Sequence, residues 1–420
     1  MARFWRCPVT SAELRSAGRL GGYAVAGLTA RIEQVHRAVA GRVFGQLGVA
    51  GAPVRVIHDT IAAGVYLTIR GGATVAGAVG GEVAAQIGAS GGPGGSAAGT
   101  PAGRLALSAL NAVAGDRLGP GMAPLTIGMA VRAAGRDVDL TTGELAAALP
   151  QATPRLAVFV HGLGANEDLW RWRSEGQQRV PYGERLRAEF GYTPLYVRYN
   201  TGRHVSVNGR DLAALLDGLT AAWPEQVGEL LLVGHSMGGL VIRSACHYGQ
   251  QASATWAPRV RHVFYIGSPH LGAPLARAAG FAGWAFGKAA ETRPFVTMVN
   301  GCSAGIKDLR YGYVLDDDWA SCDQDSCLRD HRHDTPLLAA ANHYVISATV
   351  TADPGSNAGA VVGDLLVQPA SAHGRRRGIQ HIGFRMDSGR RLGGMHHVDL
   401  LSHPAVWEAM RGLLQARETN

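Results

Sequence analysis

The spacing of hydrophobic residues changes character along this chain. Val25, Leu28, Ile32, Val35 and Val39 recur every three or four residues, which puts them on one helix face; Ile57, Ile61, Val65 and Ile69 repeat the pattern. "GASGGPGGSAAGTPAG", residues 88–103, has the composition of a flexible linker. A short helix is expected near Leu105–Leu118. The period then falls to two: Leu125, Ile127, Met129 and Val131 alternate with small or polar residues, "AAGRD" turns the chain, and Val138 and Leu140 alternate on the return, an antiparallel hairpin. Beyond it apolar runs ("LAVFVHG", "PLYVRYN", "LLLVG", "HVFYIGSP", "HYVISATV") alternate with helices: one near Tyr182–Phe190, one carrying Leu212, Leu215, Leu216 and Leu219 on a single face, and "MGGLVIRSACHY". Continuous apolar strands between amphipathic helices predict an α/β fold with a mostly parallel sheet, covered by helices on both faces. The expected organisation is a Gly/Ala-rich helical region over 1–120 and an α/β domain over 121–420.

Composition agrees with a large core. Of 420 residues 46% are hydrophobic and 17% charged, a globular balance. The net charge of +8 favours peripheral contact with anionic surfaces. No basic stripe interleaved with aromatics accompanies it, so nucleic acid is not an expected partner. Arg375–Arg377, between glycines, reads as a solvated loop. The N-terminus lacks an unbroken apolar signal segment, and the apolar run Thr60–Ile69 stops at Arg70, well short of the ~18 residues a membrane span needs. A soluble, cytoplasmic chain is expected. Its five scattered cysteines then read as thiols, although Cys322 and Cys327 are near enough in sequence to bridge.

Candidate chemistry centres on Gly234-His-Ser-Met-Gly238. A G-x-S-x-G match is weak alone, because a chain with 58 glycines produces one by chance roughly 0.4 times. Gly88-Ala-Ser90-Gly-Gly92 fits as well, but no strand enters it and no helix can leave through Gly-Gly-Pro-Gly-Gly. Ser236, by contrast, follows the buried run "ELLLV" and precedes a helix starting at Met237. Such a turn stands the serine oxygen at the C-terminal edge of a sheet, above a helix N-terminus that favours anions.

"GHSMGG" after "LLLV", with "VFVHGLG" upstream, resembles the α/β-hydrolase superfamily over residues 124–416, specifically bacterial lipases and esterases and PGAP1-like hydrolases. The resemblance implies a serine nucleophile, Ser236, and an oxyanion hole made by the backbone N–H groups of Leu163, in "HGLG", and Met237. It implies a base near the C-terminus, where "GGMHHVDLLSHPAVW" maps the catalytic position onto His397, with His396 the rival and His403 packing or capping at the helix entrance. The acid should follow "HYVISATV"; Asp364 in "VVGDLLVQPASA" fits better than Asp353, which precedes Pro354 like a turn former. Leu365 stands where the family commonly has glycine. "GSPHLGAP" at 267–274 resembles the start of a lid, expected over about 272–340. Within it Cys322, Cys327, His331 and His333 have unusual spacing for zinc, and Asp316–Asp318 could hold Ca²⁺; solvated loops are the simpler reading of both. The implied activity is hydrolysis of carboxylic esters, from small molecules or lipids, through an acyl-enzyme and without a cofactor. An acyltransferase using the same groups, or a non-catalytic lipid- or partner-binding protein, are the alternatives.

Overall fold

A computed structural model describes residues 52–89, 101–118, 125–171, 180–273, 302–321, 330–376 and 379–418, and part of a helical stretch between 15 and 41. Residues 90–100 of the expected linker, Ser90 included, lie outside the described residues, as do 274–301 and 322–329 of the expected lid. Two compact units divide the chain, 1–110 and 111–420. In the first, helix α1 (Ala52–Ala89) runs for 38 residues. It packs closely on the 15–41 stretch: a Cβ on Gly22 would lie 3.1 Å from Gly77 Cα. Arg15 pairs with Glu82 at 2.7 Å. Among the described residues no helix is long and apolar enough to cross a membrane. Helix α2 is Pro101–Ala114.

The second unit is built on an eight-stranded sheet. Its strands are β1 (Ala130–Ala133), β2 (Arg136–Val138), β3 (Arg155–Val160), β4 (Thr193–Arg198), β5 (Glu229–His235), β6 (Val260–Ile266), β7 (Asn342–Ala348) and β10 (Gly389–Leu392), in the order β10-β7-β6-β5-β3-β4-β1-β2. A separate two-residue ribbon pairs β8 (Arg375–Arg376) with β9 (Ile379–Gln380). From β10 to β4 every pairing is parallel; only β1 and β2 run antiparallel at one edge. Alternate residues of the central strands serve opposite faces. Leu156, Val158, Val160, Leu230 and Leu232 join one core, with α5 (Val205–Ala222) and α6 (Met237–Gln251). Ala157, Phe159, Leu231 and Val233 join the other, with α4 (Tyr182–Phe190) and α7 (Pro404–Glu418). A short helix, α3 (Thr142–Ala148), not foreseen from the sequence, is capped by Thr141, whose side chain accepts from Glu144 N.

The hairpin differs from its expected extent. Its turn is where expected, with positive φ at Ala134 and Gly135, but residues 125–129 form no strand. Asn111 is the reason: its amide donates to Leu125 O (2.8 Å) and accepts from Ile127 N (3.1 Å). These bonds occupy backbone groups that a neighbouring strand would otherwise take.

Candidate active site

Ser236 sits between β5 and α6 at φ +53°, ψ −124°, a conformation L-residues rarely adopt. Its N–H donates to Ile266 O at 2.9 Å, tying the turn to the end of β6. The glycines around it are close-approach positions. A Cβ on Gly234 would meet Gly239 Cα at 2.6 Å, and one on Gly238 would run into the carbonyl oxygens of Val160 and His161. Ser236 is half-buried, while its neighbours His235 and Met237 are buried.

The loop after β3 reaches the same place. A Cβ on Gly162 would lie 2.9 Å from Ser236 Cβ, so "HGLG" passes directly over the serine. Met237 begins α6, where first-turn N–H groups have no intrahelical acceptor. Among the described residues neither Leu163 N nor Met237 N finds a backbone acceptor. Gly164, at φ +67°, turns the loop and donates to Thr201 Oγ1 at 3.2 Å.

His397 and Asp364 are brought together. His397 Nδ1 donates to Asp364 Oδ2 at 2.8 Å, and the backbone N–H of His397 donates to Asp364 O at 3.0 Å. Asp364 is 1% exposed; its Oδ1 accepts from Leu366 N (3.0 Å) and Val367 N (2.8 Å), which fixes the carboxylate in its turn. That turn carries Gly363 at φ +61° and Leu365 at φ +81°. The residue standing at the usual glycine position therefore still adopts a glycine-like conformation. The His397 ring lies against Gly267, where a Cβ would be 3.1 Å from His397 Cε1. Since Ser236 bonds to the adjacent Ile266, serine and histidine flank the end of the same strand.

The rivals lie elsewhere. Asp353 is exposed and accepts from Gly355 N at 2.8 Å, a local turn bond. His396 is exposed, its N–H bonded to Asp399. His403 Nδ1 accepts from Ala405 N at 3.1 Å, at the entrance to α7. Asp318, read from sequence as part of a solvated acidic loop, is fully buried. Its oxygens accept from Val314 N, Leu315 N and His333 N, so backbone donors replace the solvent. Cys322 and Cys327 lie outside the described residues.

Two supporting elements were not foreseen. His235 Nε2 lies 3.2 Å from His397 O, and the two rings are 4.7 Å apart. Burial first, then the neighbouring His397, holds His235 well below the ordinary histidine range. The neutral ring must donate from Nε2 to that carbonyl, which anchors the His397 backbone. The second element is Glu167, just past the "HGLG" loop, which bonds Arg198 Nε at 2.8 Å and Arg132 Nε at 3.0 Å, all three nearly buried. Burial pushes the Glu167 carboxyl up, but bonding to Arg198 and the charges of both arginines outweigh it and hold it below the usual range. Thus the segment carrying Leu163 is pinned to β4 and β1. The signal for His235 is its place beside the serine; nothing in the sequence pairs Glu167 with Arg132 and Arg198.

A mostly parallel sheet with a serine in a strand–turn–helix elbow, beside a carboxylate–histidine pair, is the arrangement of the α/β-hydrolase fold. Residues 150–310 match the family model described as "Putative serine esterase (DUF676)". No curated protein is similar enough to count as a relative. Among solved structures, the mature lipase BlEst2 of Bacillus licheniformis is 17% identical, covering 62% of this chain and 91% of that one at a TM-score of 0.41. The thioesterase RedJ, from the prodiginine pathway of Streptomyces coelicolor, is 21% identical, covering 63% and 91% at 0.35. A lipase-esterase related protein of Clostridium acetobutylicum is 11% identical, covering 63% and 96% at 0.34.

Proposed function

We propose that the chain hydrolyses carboxylic esters through an acyl-enzyme on Ser236. The observation that carries this reading is the bond from His397 Nδ1 to buried Asp364, set beside the strained Ser236 turn. Ser236 Oγ attacks the acyl carbon, and His397 Nε2 takes its proton and returns it to the departing alcohol. Asp364 holds the proton on Nδ1, so Nε2 is free to accept, and it stabilises the imidazolium that forms. The N–H groups of Leu163 and Met237 bind the oxyanion; one such donor is worth about 10²–10³ in rate. Water, activated by the same histidine, then cleaves the acyl-enzyme. The substrate class is a small-molecule or lipid ester and the site of action the cytoplasm.

A fluorophosphonate probe tests this reading. Wild type and Ser90→Ala should label and Ser236→Ala should not; labelling that survives Ser236→Ala overturns it.

A further inference from the structure

Away from the serine, a cavity of about 80 Å³ is lined by Arg243, His270, Asp318, Arg332, His333 and His381, among others. Arg243 is seven residues along α6 from Ser236, about 10 Å at 1.5 Å per residue. The cavity therefore does not depend on the chemistry assigned to the serine. Arg243 is 6% exposed and forms no ion pair among the described residues. Among the same residues its Nε has no partner, and the one bond it makes is from Nη1 to His270 Nδ1, at 3.4 Å. The nearest buried carboxylate, Asp318, lines the same cavity and acts on Arg243 only from a distance, without an ion pair. A buried cation with no directly paired counter-charge is costly, and a Leu or Met would fill the position more stably. Burial accordingly lowers the Arg243 guanidinium to about 10.

His270 adds a second unused donor. It is fully buried between Tyr265 and Phe384, and burial, then the charge of Arg243, keeps it well below the ordinary histidine range. Since Arg243 donates to Nδ1, the neutral ring carries its proton on Nε2, and among the described residues that atom has no partner either. The acidic groups nearby are engaged or peripheral. Asp318 already accepts from Val314 N, Leu315 N, His333 N and His333 Nδ1. Asp330 pairs with Arg332 at 2.7 Å, and Asp334 is exposed. Arg332 itself reaches His270 O at 3.4 Å, which places its guanidinium over the buried pair.

We propose that this cavity is a binding site for a small oxyanion, with Arg243 and His270 as its inner wall and Arg332 and His333 at its mouth. Its size suits a carboxylate or a tetrahedral oxyanion such as phosphate, and the guanidinium fork suits both. Occupancy supplies the direct ion pair that Arg243 lacks among the described residues. It also joins α6 to the 330–335 segment and to the loop after β6, whose Gly267 touches His397.

Thermal unfolding of the full chain, at fixed ionic strength and pH 7.5, tests the proposal with inorganic phosphate, sulfate and acetate as separate probes. At least one should raise Tm saturably, by about 2 °C at ten times its Kd. A response to phosphate and sulfate assigns a tetrahedral ligand, and one to acetate a carboxylate. The rise should vanish in Arg243→Met and in Arg332→Ala; the latter lies at the mouth and should fold and label normally with fluorophosphonate, which keeps the test readable if Arg243→Met fails to fold. No saturable rise with any of the three, or an equal rise in Arg332→Ala, overturns the proposal. Because the readout is Tm, it stands apart from any failure of Ser236 to react.

Discussion

Asp364→Asn separates catalysis from folding at a single atom. In the native turn Oδ1 accepts two backbone N–H groups and Oδ2 accepts from His397 Nδ1. Asparagine can keep the Oδ1 bonds, so the turn survives. An NH₂ in place of Oδ2 then faces Nδ1 and drives the histidine proton to Nε2, the atom that must receive the serine proton. The same exchange in serine-protease triads lowers kcat about 10⁴-fold, which is ~5.5 kcal/mol of transition-state stabilisation. The cost to folding is far smaller. One charge-assisted bond is exchanged for a neutral contact, about 1 kcal/mol, which is about 1–2 °C in Tm for a unit of this size. Hydrolysis of p-nitrophenyl butyrate and the rate of fluorophosphonate labelling should both collapse, with Tm nearly kept. Asp353→Asn, at an exposed turn, should leave both rates within twofold. An Asp364→Asn variant within tenfold of wild type in kcat/KM, or a larger loss in Asp353→Asn, would refute the assignment.

Glu167→Gln leaves Arg132 and Arg198 buried with most of their counter-charge gone. Chemical denaturation should show a loss of about 3–5 kcal/mol, and a loss below 1 kcal/mol would mean that the cluster does not brace the "HGLG" segment. Acid should also destabilise the protein. Burial lowers His161, His343 and His373 to about 4, against about 6.5 in the unfolded chain. Between those values the unfolded state binds more protons, so stability is full above pH 6.5 and falls as pH drops towards 4. Three such groups give a slope on the order of 4 kcal/mol per pH unit near pH 5; urea unfolding with equal free energies at pH 6.5 and 5.5 would contradict it.

The sequence was legible where one strong local rule acted alone. The strands β3 to β7 are runs of apolar residues buried on both faces, and no other element competes for "LAVFV" or "ELLLV". Residues 125–129 had the strand period but were claimed by the Asn111 amide, a contact no periodicity encodes. β10 carries Arg390 and Arg391 in the middle of its four residues and sits at the sheet edge, so it has no apolar signature. At the site, Ser236 and "HGLG" announce themselves through glycines that close packing demands. Asp364 and His397 are 33 positions apart, and their pairing needed a known chain order to guess. Glu167, Arg132 and Arg198 come from three separate elements, and Arg243 from a helix face that looks like ordinary core.

Among the described residues two of the four non-glycine positions with positive φ, Ser236 and Leu365, lie at the site; Ala134 and Ser253 close turns elsewhere. Ser236 at φ +53° holds the serine, Gly267 at +61° makes room for the His397 ring, and Gly363 and Leu365, at +61° and +81°, flank Asp364. For the two non-glycine residues each such conformation costs on the order of 1–3 kcal/mol and persists only where the surroundings over-determine it. At Ser236 the over-determination is visible. Gly234 and Gly238 allow α6 to press onto β3 and β5, and the serine N–H is taken by Ile266 O. At Leu365 it rests on the Asp364 carboxylate, which grips the next two backbone N–H groups. The acid is therefore also the lock of its own turn. Removing its side chain would release the strain at Leu365 and, through the Asp364 carbonyl that accepts from His397 N, move the histidine as well. Asparagine, which keeps the lock and changes only the proton, is for that reason the substitution that tests chemistry rather than architecture.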